Sequence, residues 1–204
     1  MTSPVSAQKL LDDRPFVRCV LLSQDEEESL QEEAAHRSYC FAVVDLANIQ
    51  TREDLMARLA RALDFHSCSG KNWDAFLNMV TDLSWNPAPG YVVLLKNAES
   101  LLQLPSEHLA TFVRLCSAAV ERWQSGEDEE GKSVPRTPFY FLLEGQPPFC
   151  RLVTDLLTGG QSVGGSEKWG HFGRIVALLP LAATTSGISP RSEPDDSLLY
   201  VLAA

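Results

Sequence analysis

The chain has 204 residues, of which 45% are hydrophobic and 22% charged, so it can bury one ordinary globular core and is not disordered as a whole. Its 27 acidic and 17 basic side chains give a formal net charge of -10. That balance excludes a non-specific binder of nucleic-acid backbones, whose affinity depends on basic side chains. It favours a basic protein or a cationic small molecule as partner, unless the charge serves solubility alone.

Neither a secretion signal nor a membrane span is apparent. Residues 1–16 lack the apolar stretch of a signal peptide, and the apolar run at 175–183 is short and interrupted by Pro180. We therefore expect a cytoplasmic protein. The cysteines are odd in number and have no zinc-site spacing, which argues against a disulfide framework and a zinc site. All but Cys68 lie in apolar segments and are predicted to be buried thiols. The five are Cys19, Cys40, Cys68, Cys116 and Cys150.

In the first third of the chain, residues 16–22 have the composition of a strand. The acidic stretch 25–33 fits either a solvated helix or a mobile loop. A near-continuous apolar run at 39–46 is typical of a strand buried on both faces, and we take it as the first core strand. Leucines four residues apart predict a helix over 51–63, which opens with the Thr51 and Asp54 pattern of a capping box.

The middle of the chain contains a second predicted helix preceded by a polar loop, residues 67–71. Gly70 allows a sharp turn there, and Asn72 is placed to cap the helix. Apolar residues at helical spacing from Trp73 onward define one face. The other face is polar and carries Asp74, Asn78 and Asp82.

The remaining pattern again alternates strands with helices. Apolar runs at 91–96 and 139–144 predict the second and third core strands, and an amphipathic pattern at 106–123 predicts a long helix between them. The acidic residues 126–138 predict a surface loop. Beyond them we expect a helix at 149–157, a strand at 173–179 and a flexible stretch at 182–196. This alternation predicts an α/β fold with a parallel sheet covered by helices.

No segment has the features of a catalytic, cofactor or metal site. Residues 159–166 imitate a phosphate-binding loop but lack its lysine, and they follow a helical pattern rather than a strand. The histidines have no metal-ligand spacing, and the adjacent residues 66–68 are poorly placed for nucleophilic catalysis. We therefore predict no enzyme activity, no cofactor and no metal. What remains is the segment 67–85, whose mixture of carboxylates, amides and Trp85 suits protein recognition, with an ordinary solvated helix face as the alternative.

The sequence Gly70-Lys71-Asn72-Trp73-Asp74-Ala75, together with the order of predicted elements, resembles the barstar family of intracellular ribonuclease inhibitors from bacteria. About half of the chain takes part in the resemblance. It implies a three-stranded parallel sheet packed with helices in a domain at 39–145. The N-terminal extension 1–38 and the C-terminal extension 146–204 are each expected to add a strand at a sheet edge, at 16–22 and 173–179, or alternatively to contact a partner.

The resemblance also implies a function. Family members insert the loop and the following helix into a nuclease active site, where carboxylates take the place of RNA phosphates. The implied partner is therefore a basic nuclease, a ribonuclease or a toxin paired with an immunity protein. The resemblance implies that Gly70, Asn72 and Asp74 contact the partner. Together with the segment 67–85 singled out above, the predicted partner-binding residues are Cys68, Ser69, Gly70, Asn72, Asp74, Leu77, Asn78, Asp82 and Trp85.

Several positions depart from the family pattern. The place of the family's dominant carboxylate is taken by Asn78, an amide that cannot neutralise an arginine. Leu77 stands where a tryptophan is expected, and the acidic position on the later helix falls near Leu115. Asp82, one turn further on, is a candidate to compensate. These departures keep a second reading open, namely a regulatory interaction module that retains the fold without the nuclease target.

Overall fold

The computed structural model of the chain describes residues 6–65, 72–127 and 132–159. Within these ranges one sheet of four parallel strands has the order β1-β4-β3-β2. The strands are β1 (Val17–Val20), β2 (Cys40–Asp45), β3 (Tyr91–Lys96) and β4 (Phe139–Glu144). The helices are α1 (Ala7–Asp12), α2 (Gln24–His36), α3 (Arg52–Ala62), α4 (Trp73–Asp82), α5 (Ser106–Ser125) and α6 (Pro147–Thr158), with a 3-10 helix at Ala98–Gln103.

The α/β fold predicted from the alternating pattern is confirmed. The strands β3 and β4 lie in the middle of the sheet and are buried except at their last residues, which explains their uninterrupted apolar sequences. The N-terminal extension supplies the predicted extra strand, because β1 pairs with β4 in the register Val17 to Phe141. The strand expected at 173–179 lies outside the described residues.

Each face of the sheet has its own core. Side chains alternate along β3, so Val93 and Leu95 join the larger core with α3, α4, α5 and α6. Val92 and Leu94 point the other way and pack against α1 and α2. The helices that the family resemblance covers therefore lie on one face, and those of the N-terminal extension cover the opposite face.

The acidic stretch near the N-terminus forms α2, a helix that also contributes to the core. Ser23 and Glu26 make a capping box at its start, in which the Glu26 carboxylate accepts a hydrogen bond from the Ser23 backbone N–H at 2.8 Å. Leu30 and Ala34 are its buried residues. Arg37 then ties α2 to α1, since its guanidinium donates to the Asp12 carboxylate at 2.6 Å. Of the two readings of this stretch, the helix is observed.

The prediction that the cysteines outside the polar loop are buried thiols is wrong for two of them. Cys19 in β1 and Cys150 in α6 form a disulfide across 131 residues, with a Cα–Cα distance of 5.0 Å. The pairing depends on the topology, which brings the first strand beside the last described helix. Cys116 is a buried thiol, and burial raises its pKa well above the usual value. Cys40 is a half-buried thiol, and Cys68 lies outside the described residues.

Candidate protein-binding surface

Both ends of α4 are fixed by local structure. At its start the Asn72 side-chain oxygen accepts a hydrogen bond from the Ala75 backbone N–H at 2.8 Å, which confirms the predicted cap. At its end Leu83 adopts a left-handed conformation with φ of 43°, and its side chain is buried. A buried leucine in that conformation sets the direction in which the chain leaves the helix. Helix α4 is thus held at defined bounds.

The apolar face of α4 packs against α5. Phe76 is buried, with its ring centroid 5.7 Å from that of Phe112. At the other end of the helix, the Trp123 indole N–H donates to the Val80 carbonyl oxygen at 2.9 Å. These contacts hold α4 along its length and leave its opposite face toward solvent.

The solvent face of α4 carries Asp74, Asn78 and Asp82, and all three are exposed. A spacing of four residues places successive groups about 6 Å apart along the helix. The helix has no basic residue, and within the described part of the chain neither aspartate forms an ion pair. In the part of the surface that the structure describes, two carboxylates therefore have no ion-pair partner.

The two aspartates differ in their relation to the helix dipole. Asp74 lies in the first turn, where the positive end of the dipole stabilises a carboxylate. Asp82 is the last helical residue, where the dipole disfavours negative charge. The position of Asp82 therefore costs some folding stability, as is common for residues retained for binding rather than for the fold.

Two predicted contact residues are half-buried, Leu77 in keeping with its place on the apolar face and Trp85 against the expectation that it is exposed. Leu77 is half-buried and packs against the larger core. Trp85 is also half-buried, because its indole N–H donates to the Leu63 carbonyl oxygen at 3.3 Å and its ring meets Phe65 edge-on at 5.9 Å. Trp85 follows the end of α4 and folds back onto the end of α3, a contact that the sequence pattern does not predict. Trp85 fastens the turn after α4 to the end of α3.

The polar loop itself cannot be placed beside these residues. Cys68, Ser69 and Gly70 fall within residues 66–71, outside the described ranges, between the end of α3 and Asn72.

One neighbour of the surface was missed from sequence. The His108 ring at the start of α5 packs edge-on against Trp73 at 5.8 Å, beside the first turn of α4. Periodicity placed Trp73 in the core and left His108 as an isolated histidine, since nothing in the sequence shows how α4 and α5 align. Leu115, further along α5, is half-buried against the larger core and adds no charge to this region.

Neither a metal cluster nor a membrane helix is found in the three described ranges. No group of three or more His, Cys, Asp or Glu side chains there is arranged to hold a metal ion. No helix in those same ranges has the length and apolar character needed to cross a membrane.

Comparison with protein families finds a match to the family described as Barstar (barnase inhibitor), over residues 39–136. Residues 39–136 belong to the barstar family. The match includes β2, α3, α4, β3 and α5, so the whole candidate surface lies inside the barstar region. Comparisons with curated proteins and with solved structures find no match for the chain.

Proposed function

We propose that this barstar-family chain binds a basic nuclease, a ribonuclease or a toxin nuclease, and inhibits it through the segment 67–85. The observation that carries the proposal is the pair of exposed carboxylates, Asp74 and Asp82, on a helix without a basic residue; among the described residues neither forms an ion pair. A nuclease binds phosphates through basic side chains, so its active site is complementary to such a surface. The family's description as an inhibitor of barnase supports the same partner class.

The packing of α4 suits it to this role. Its contacts with α5 and its fixed ends hold the helix that carries Asp74, Asn78 and Asp82 in place before binding. A rigid helix loses little conformational entropy on association, so more of the contact energy appears as affinity. Asn72, which caps the helix, fixes the start of α4. In this proposal the chain acts by occupying an active site and catalyses no reaction.

The test is inhibition of RNA cleavage by barnase, the enzyme in the family's description, titrated with the full chain. We compare the wild type with Asp74→Asn and with Asp155→Asn, a matched change at an exposed residue of α6. Loss of one charged hydrogen bond weakens an interface by about 1.5 to 3 kcal/mol, or roughly 10- to 100-fold in affinity. We expect that loss for Asp74→Asn and none for Asp155→Asn. Equal inhibition by all three proteins would remove Asp74 from the contact.

If barnase is not inhibited, the tagged full chain serves as bait in a pull-down from the lysate and culture fluid of the native cells. The comparison is between wild type, Asp74→Arg and Asp155→Arg, with mass spectrometry to identify what is bound. A small basic nuclease lost only with Asp74→Arg supports the proposal. A retained partner that is not a nuclease, or that is indifferent to Asp74, supports the second candidate below.

The second candidate is a non-inhibitory regulatory module, and Asn78 favours it. An uncharged amide lies at the centre of the exposed face, where it cannot neutralise a cationic group. Asn78→Asp decides between the two functions in the same cleavage assay. If this change creates or greatly strengthens nuclease binding, the natural surface was not built for that target.

The location in the cell is part of the proposal. An inhibitor that protects its own cell from a nuclease acts in the bacterial cytoplasm, as the sequence led us to expect. The disulfide between Cys19 and Cys150 is of a kind found more often in oxidising compartments. Thiol counting on protein purified from its native cells, with rapid alkylation, shows which state the chain has there.

A further inference from the structure

Within the described ranges, no strand pairs with the outer edge of β2. Cys40 N–H donates to the Gly90 carbonyl oxygen and Leu46 N–H to that of Lys96, so the even-numbered residues of β2 face β3. Backbone groups alternate along a strand, so those of Phe41, Val43 and Asp45 point outward. The Arg58 guanidinium donates a hydrogen bond to the Asp45 backbone carbonyl oxygen at 2.6 Å. In the described ranges the backbone groups of Phe41 and Val43 have no outward partner.

This edge lacks the protection that edge strands commonly have. The sequence of β2, CFAVVD, contains no lysine, arginine or proline, and Val43 at its centre is 41% exposed. The opposite edge is different, because β1 is only 4 residues long, contains Arg18 and is joined to α6 by the disulfide. An open edge strand without lysine, arginine or proline is a template for pairing with another strand.

Helix α3 runs beside this edge and adds a charge pattern. A groove of about 660 Å³ lies between β2 and α3, lined by Val43 and by residues of α3. The exposed α3 residues along the groove are Asp54, Ala57 and Arg61. Hydrogen bonds from the backbone N–H groups of Gln50 and Thr51 lower the pKa of the Asp54 carboxyl, so it is charged at neutral pH. Among the described residues Arg61 forms no ion pair.

We propose that β2 pairs with β2 of a second copy of this chain, antiparallel about a twofold axis near Val43. A twofold interface brings the same patch of both copies together, so the patch has to be complementary to itself. Asp54 and Arg61 approach this condition, because they lie three and four residues to either side of Ala57, the middle residue of α3. In the antiparallel arrangement Asp54 of each copy faces Arg61 of the other, and the small Ala57 side chain lets the two helices approach.

The proposal rests on β2 and α3 and makes no use of the face of α4. Experiments can therefore disprove the dimer without disproving nuclease binding, and disprove nuclease binding without disproving the dimer. In the dimer the two sheets join into one, and the outward N–H and C=O groups of Val43 gain partners across the axis.

The test is sedimentation equilibrium of the full chain from micromolar to millimolar concentration. The key variant is Arg61→Glu, because one substitution replaces two symmetry-related attractions by two repulsions. The matched control is Arg151→Glu, the same charge change at an exposed residue of α6, which lies beside the opposite edge strand β1. We expect a dimer for the wild type and the control, and at least tenfold weaker association for Arg61→Glu. A wild type that stays monomeric, or dimers unaffected by Arg61→Glu, would overturn the proposal.

Hydrogen exchange at the Val43 amide gives a second measurement. We expect slow exchange in the dimer and fast exchange in Arg61→Glu. Val43→Pro removes the outward N–H without touching the bonds from β2 to β3, and it should abolish the dimer while the protein stays folded. A monomer with a protected Val43 amide would show that another part of the chain, such as residues 160–204, covers this edge, and the dimer would then be excluded.

Discussion

The Tyr140 hydroxyl donates a hydrogen bond to the Leu11 carbonyl oxygen at 2.9 Å, joining the centre of the sheet to the N-terminal helix across 129 residues. Tyr140 lies in β4, and desolvation by burial is the main reason that its pKa rises to about 12. Leu11 and its neighbour Leu10 are buried in the core between α1, α2 and the sheet. Helix α1 is therefore a structural part of the domain, although it lies outside the barstar match.

Removal of this hydroxyl tests that attachment. We expect Tyr140→Phe to lower the free energy of unfolding by about 1 kcal/mol, the usual net value of one hydrogen bond. The loss stays small because Arg37 also donates to the Leu11 carbonyl oxygen, at 2.8 Å. Urea denaturation measures the change. Tyr39→Phe is the matched control, since Tyr39 stacks on Tyr140 without a side-chain hydrogen bond of its own among the described residues. An equal loss in both variants would contradict the role of the Tyr140 hydroxyl.

The disulfide between Cys19 and Cys150 should stabilise the fold strongly. It closes a loop of 131 residues, for which the chain-entropy argument gives about 4 to 5 kcal/mol. We expect the Cys19→Ser/Cys150→Ser protein to unfold at clearly lower urea concentration than the oxidised wild type. Reductant should bring the wild type to the same midpoint and leave the double variant unchanged. A wild type whose midpoint does not respond to reductant would show that the bond contributes nothing.

The dipole of α4 predicts opposite stability effects for its two aspartates. Asp82→Asn removes a charge from the negative end of the helix and should raise stability by about 0.3 to 1 kcal/mol. Asp74→Asn removes a charge from the positive end and should lower stability by a similar amount. High salt should reduce both changes in stability, because it screens the interaction of each charge with the helix dipole. If Asp82→Asn gains stability and loses partner binding, the residue serves recognition; a gain with binding intact would make it an ordinary solvated side chain.

Stability should fall at acid pH partly through Asp45. Hydrogen bonds from the Ala47 backbone N–H and the Asn97 side chain lower the pKa of its carboxyl in the folded protein. A lowered folded-state pKa contributes stability above the ordinary carboxyl value, near 4, which is lost as pH falls through the folded value. Urea denaturation across a pH series measures this slope. Asp45→Asn should flatten it below about pH 5, and an unchanged slope would assign the acid sensitivity to other carboxylates.

The parts of the fold that sequence predicted are those set by local patterns. The strands β3 and β4 were evident because burial on both faces requires uninterrupted apolar residues. The caps at Thr51 and Asn72 were evident because each bonds to a backbone group three residues away. The three-stranded barstar sheet and the added N-terminal strand followed from the resemblance and from these runs.

The parts that sequence missed depend on contacts between distant segments. The acidic helix α2 buries only Leu30 and Ala34, too few apolar positions to separate a packed helix from a solvated one. The disulfide and the burial of Trp85 depend on which elements become neighbours in space. The sequence correctly placed Asp74 and Asp82 on the exposed face of α4. Their role in binding stays a prediction.

The strand order has a consequence for how the protein is made. Within the described sheet β1 pairs only with β4, whose residues follow it by more than a hundred positions, as the register Val17 to Phe141 shows. During synthesis β1 leaves the ribosome early, and its partner strand does not yet exist. The sheet is completed only when β4 inserts between β1 and β3. Contacts so distant in sequence slow folding, so the final step in forming this sheet is expected to set the rate at which active protein appears.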